Sequence, residues 1–141
     1  MKFYISGALM ASKNLNEATK EYEDIAALLE ENGHDAYLPH KNTHPAKSQN
    51  LQAHEVFGCD YSEIEKADAV LAFANEPSLG VGAEVALALN LEKTVIVAFR
   101  TDTPVSRFLT GLVEQRGGTL ISYEALDNLQ KQVENSICIA K

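Results

Sequence analysis

The chain predicts an α/β fold, a three-layer sandwich around a five-stranded parallel sheet in flavodoxin-like, doubly wound order. Three observations lead there. Apolar strand-like runs alternate with segments of helical period along all 141 residues. Two of those runs, "DAVLAFA" at 68–74 and "TVIVAF" at 94–99, are continuously apolar after their first residue, as a sheet covered on both faces requires. No repeat, low-complexity tract or linker breaks the alternation, so residues 1–141 read as one domain of right-handed βαβ units.

The elements follow in order. "KFYIS" at 2–6 is the first strand. Residues 14–32 form a helix with Ala18, Tyr22, Ile25 and Leu29 on one core face, and Gly33 stops it as a left-handed cap. A short strand at 35–38 precedes "PHKNTHPAKSQN", whose prolines and polar residues predict a loop with no packed element. A helix from about 50 to 66 leads into the strand at 68–74, a glycine loop, a helix at 81–91 and the strand at 94–99. Pro104 suits the start of a helix ending near 116. "TLISY" at 119–123 and a last helix from about 124 complete the chain.

Composition narrows the function. Twelve basic against 20 acidic residues give a net charge of −8, which argues against a nucleic-acid polymer as partner, since such binding rests on clustered Lys and Arg. No apolar run approaches the ~18 residues of a membrane span, and "MKFYISGAL" has neither the apolar stretch nor the cleavage site of a signal peptide. Cys59 and Cys138 lack metal-like spacing and read as plain thiols in a reducing, cytoplasmic setting.

In this fold, ligands sit beyond the carboxyl ends of the strands. The loop "NEPSLGVG", 75–82, lies there and opens a helix whose first amides lack intrahelical partners; Gly80 and Gly82 allow close approach of an anion to the backbone. Glu84 is an isolated acid in the apolar stretch that follows. A helix starting at 80 or 81 places it in the first turn, where the dipole keeps it ionised; it is either a nucleophile or electrostatic stabiliser, or an acid that merely offsets the dipole. Asp60 shares an inward helix face with Phe57, Ile64 and Ala67, as a second reactive acid or a capping one. Glu63 and Glu65 read as surface charges.

Y-x-x-G at Tyr4–Gly7, Asp60 followed by Ala67-Asp68, and S-x-G-x-G-x-E at Ser78–Glu84 together resemble the nucleoside 2-deoxyribosyltransferase family. Pro77–Glu84 is similar in particular to its branch of 2′-deoxynucleoside 5′-monophosphate N-glycosidases. The resemblance implies Glu84 as the nucleophile at C1′ of the sugar and Asp60 as the acid that bonds or protonates the base. It implies a phosphate cradle of Ser78, Gly80 and Gly82 with the first loop from Gly7, and a base side near Tyr4, Leu9 and Met10, with core packing the favoured single role of Tyr4. Transferases of the family carry an aspartate where Ser78 stands; it would repel a 5′-phosphate, whereas a serine hydroxyl can donate to one. The first loop reads G-A-L-M (Gly7–Met10) rather than G-S-x-R, losing a hydroxyl and a guanidinium and leaving Ser12 or Lys13 to substitute.

The resemblance therefore implies hydrolysis of the N-glycosidic bond of (deoxy)nucleoside 5′-monophosphates. A base-exchanging deoxyribosyltransferase and a non-catalytic nucleotide-binding module are the alternatives. The expected partners are a small-molecule nucleoside or nucleotide and, as the family implies, a second copy of the chain, with no cofactor and no metal. His40, His44 and His54 read as exposed loop histidines rather than ligands, in a loop able to act as a lid. Arg100 and Arg107 border the ligand edge, each either a phosphate contact or a plain surface arginine.

Overall fold

The computed structural model describes residues 1–9, 14–43 and 50–139. Its elements run β1 (Lys2–Ser6), α1 (Leu15–Glu31), β2 (Asp35–Tyr37), α2 (Pro39–Asn42), α3 (Ala53–Lys66), β3 (Ala69–Phe73), α4 (Leu79–Asn90), β4 (Thr94–Arg100), α5 (Arg107–Gln115), β5 (Thr119–Tyr123) and α6 (Leu126–Ile139). The five strands pair in parallel in the order β2-β1-β3-β4-β5. This is the flavodoxin-like order, whose switch point lies between β1 and β3. Among the described residues no helix is long and apolar enough to cross a membrane.

Alternation along β1 divides the core. Phe3 and Ile5 face the layer built by α1 and α6, with Tyr22, Ile25, Leu29, Leu129 and Val133. Tyr4 faces the opposite layer, where Ile64 of α3, Val85 of α4 and Val113 pack on Val70 and Val97. All five residues of β3 are buried, as a central strand covered on both sides must be. At the end of α1, Gly33 takes φ +83°, while the His34 amide donates to the Leu29 carbonyl and the Gly33 amide to that of Glu30. These two bonds form a Schellman cap, the predicted stop.

Several boundaries differ from the sequence reading, each for a local reason. The predicted unstructured loop after β2 contains α2: Pro39 occupies the first helical position, where its fixed φ suits the turn. The helix α3 begins at Ala53, after a capping box between Gln52 and Glu55. The α5 helix starts at Arg107 rather than Pro104, because Ser106 supplies the cap, its Oγ accepting from the Leu109 amide at 3.4 Å. Phe57 does not point into the core: it is 56% exposed and stacks on Tyr61 with ring centroids 5.4 Å apart.

Candidate active site

The site forms where β1 ends and α4 begins. Ser78 caps α4, its Oγ accepting from the Val81 amide at 3.3 Å. The helix therefore starts at Leu79, and Glu84 falls in the second turn rather than the first. Val81, Val85 and Ala88 form the buried stripe of α4, and Glu84 lies three residues after Val81 and four before Ala88, on that same stripe. A carboxylate thus occupies a position that the helical pattern reserves for an apolar side chain.

Its partners come from β1. The Tyr4 hydroxyl donates to Glu84 Oε1 at 2.9 Å, and the Ser6 hydroxyl donates to Oε2. Residues 4 and 6 point to one face of the strand, so consecutive inward positions take one oxygen each. Burial raises the Glu84 pKa above the usual glutamate range; the Ser6 and Tyr4 hydrogen bonds oppose it, and the charge of Asp60 adds to it. Desolvation thus outweighs the two hydrogen bonds that favour the charged form. Tyr4 is itself pushed far above the ordinary phenol value, by burial first and then by Glu84 and Asp60, and so remains a proton donor.

Asp60 approaches from α3, four residues before the buried Ile64. The Thr43 hydroxyl reaches its two oxygens at 3.0 and 3.2 Å. Burial raises the Asp60 pKa and the Thr43 bond lowers it, with burial the larger effect. Asp60 and Glu84 both line one cavity of about 510 Å³, together with Gly7, Leu9, Ser78 and Gly80. Gly7 has a steric reason to lack a side chain: a Cβ there would lie 2.2 Å from Tyr22 Cζ.

Four residues singled out from the sequence are placed as follows, and His40 departs from its expected exposure. Tyr4 does not line the cavity; it is 0% exposed and lies beneath Glu84, stacked on Tyr37 at 5.7 Å. Gly82 faces a neighbouring cavity of about 610 Å³ between α4 and α5, and its amide is committed to the Ser78 carbonyl at 3.2 Å. The earlier helix start leaves the amides of Leu79 and Gly80 as the ones without intrahelical acceptors. His40 is buried, lines the site cavity and has Nε2 3.0 Å from Glu23 Oε1. Arg100 is engaged elsewhere, with Glu21 and over the Tyr123 ring.

His54 and Arg107 are exposed, while Met10, Ser12, Lys13 and His44 lie outside the described residues. Among the described residues no cluster of three or more His, Cys, Asp or Glu is arranged to hold a metal. Sequence reasoning missed Ser6, Thr43 and the burial of His40. The available signal was Ser6 itself, a polar residue at an inward position of an apolar strand; Thr43 carried none.

The family model described as nucleoside 2-deoxyribosyltransferase matches residues 3–134. A relative from Methanococcoides burtonii named "Putative 2'-deoxynucleoside 5'-phosphate N-hydrolase 1" is 26% identical over 113 residues, covering 79% of this chain and 90% of its own. The fold is that of the 2-deoxyribosyltransferase of Bacillus psychrosaccharolyticus, with TM-score 0.69 and 18% identity over 92% of this chain and 90% of that one. It is also that of the CMP N-glycosidase of Clostridium botulinum, with TM-score 0.65 and 19% identity over 95% and 99% of the two chains. With a family model matched over residues 3–134, nearly the whole chain, the protein belongs to the nucleoside 2-deoxyribosyltransferase family, enzymes that act on nucleosides or nucleotides.

Proposed function

We propose that the chain hydrolyses the N-glycosidic bond of (deoxy)nucleoside 5′-monophosphates, with Glu84 as nucleophile and Asp60 as proton carrier. The observation that carries this reading is the meeting of Glu84 and Asp60 in one cavity, with both Glu84 oxygens held by hydroxyl donors. An electron pair of the Glu84 carboxylate bonds to C1′ while the C1′–N bond breaks and its pair passes to the base, which Asp60 protonates. Cleavage of this kind builds oxocarbenium character at C1′, which an adjacent carboxylate stabilises and then traps. Water resolves the glycosyl ester in the second step. Burial raises the Asp60 pKa, the direction that suits a group called on to deliver a proton.

The 5′-phosphate would lie against the amides of Leu79 and Gly80 and the hydroxyl of Ser78, whose proton stays free to donate while its oxygen caps the helix. One observation favours a second reading. Among the described residues lining the cavity there is no Lys or Arg, and a free 5′-hydroxyl, as in a transferase substrate, needs none. Chromatography of a nucleoside and 5′-nucleotide panel after incubation, with and without an acceptor base, separates the two. Free base from monophosphates alone supports the hydrolase; a new nucleoside appearing only with acceptor supports the transferase. A homodimer or larger homo-oligomer belongs to the same proposal, to be measured by light scattering.

A further inference from the structure

Ser6 is wholly buried at the end of β1, on the strand face that otherwise meets apolar side chains of α3 and α4. A hydroxyl removed from water needs a partner, and the partner here is Glu84 Oε2. Among the described residues, the groups facing Glu84 are Tyr4 and Ser6 from β1 and the carboxylate of Asp60 from α3. Tyr4 belongs to the Y-x-x-G pattern shared with the family; Ser6 occupies one of its unspecified positions. We propose that Ser6 is a positioning residue that, together with Tyr4, holds both oxygens of Glu84 and stabilises the carboxylate as it leaves the sugar.

The inference rests on the reading of Glu84 as nucleophile and divides that reaction into unequal halves. In the first half the carboxylate loses charge as its electron pair forms the bond to C1′. In the second, a water oxygen bonds to C1′, the bond from C1′ to Glu84 breaks, and its electron pair returns to the carboxylate while the water's proton passes to Asp60. Hydrogen bonds donated to the carboxylate strengthen as charge returns, so Ser6 assists departure more than attack. Without Ser6, Glu84 is a more basic and better nucleophile but a poorer leaving group. The glycosyl-enzyme then accumulates.

The test compares the wild type with Ser6→Ala and with Ser6→Cys, which keeps a weaker donor of similar size and serves if the alanine variant unfolds. Rapid-quench measurement of base release is paired with the intact mass of the protein. For Ser6→Ala the expected result is a burst of base equal to the enzyme concentration and a protein mass increased by the sugar phosphate. Steady turnover should fall about 10- to 100-fold, the acid limb of kcat/KM should move to higher pH, and Ser6→Cys should fall between. Unchanged turnover and acid limb with no adduct, in a variant of unaltered circular dichroism, overturn the inference. A wild type that releases no base from any member of the panel overturns the nucleophile reading instead. The Ser6 contact is then judged from a ¹³C titration of Glu84, which needs no turnover: an upward shift in Ser6→Ala supports the hold on Glu84, and identical titrations overturn it.

Discussion

The Tyr4 hydroxyl meets Glu84 Oε1 at 2.9 Å across 80 residues of sequence. Because burial and the neighbouring acids keep the phenol protonated, the direction of this bond is fixed: Tyr4 gives and Glu84 receives. The acid is therefore held as an acceptor in a dry part of the molecule, a costly arrangement for stability that suits a reactive group.

Glu84→Gln removes the charge while preserving shape, and base release should fall by at least about a thousandfold. Stability should move the other way. Since burial raises the folded pKa of Glu84 above its unfolded value, the native state binds the proton more tightly. The wild type is thus favoured below the unfolded value and loses that advantage as pH rises through the folded one. Calorimetry should find Glu84→Gln melting about 2 to 5 °C higher than wild type at pH 7, with the gap closing towards pH 4. A gap that widens on acidification would contradict this account of the site.

Asp60→Asn should lower turnover of substrates with poor leaving bases by about 10²- to 10⁴-fold, and much less for an activated leaving group that needs no proton. Thr43→Val removes the bond that lowers the Asp60 pKa, so the basic limb of the pH profile should move upward. A stationary basic limb in Thr43→Val would remove Asp60 from the acid role.

Ser78→Asp keeps a good helix cap but sets a carboxylate where the phosphate is proposed to lie. KM for a 5′-monophosphate should rise at least about tenfold relative to that of the parent nucleoside, with little change in melting temperature. Steady-state kinetics on the matched pair measures it, and equal effects on both substrates would move the 5′ end away from Ser78.

Two glycines of the cavity should respond oppositely to one methyl group. Gly7→Ala drives a Cβ into the Tyr22 ring and should cost about 1–3 kcal/mol, measurable by urea denaturation. At Gly80 the nearest atom is Ser78 Oγ at 3.8 Å, ordinary contact. Gly80→Ala should therefore fold normally, while KM for the phosphorylated substrate rises if the backbone is approached closely there.

The sheet was legible because a buried parallel strand has no polar face to disguise it, as β3 shows with all five residues covered. Glu84 and Asp60 were legible as acids at helical positions beside inward apolar residues. What surrounds them was not. The Glu84 contacts with Tyr4 and Ser6 span 80 and 78 residues, and the Asp60 contact with Thr43 crosses from one helix to the next; periodicity carries no record of such pairings. The start of α4 was misplaced because glycines at 80 and 82 suggest a loop, whereas the cap at Ser78 decides it. Buried His40 meets Glu23 of another helix, and Phe57, inward by period alone, lies exposed against Tyr61; neither surrounding is written in the local pattern.

The order of synthesis bears on when this protein becomes competent. The first strand carries both hydroxyls that receive Glu84, yet its sheet neighbour β3 and the helix α4 lie more than sixty residues downstream. At about 5 to 20 residues per second, the ribosome delivers Glu84 some 4 to 16 seconds after Ser6. Until then the amino-terminal strand has no nucleophile to align and only β2 to pair with, so a nascent chain halted short of α4 should be chemically inert however well its early helices have formed.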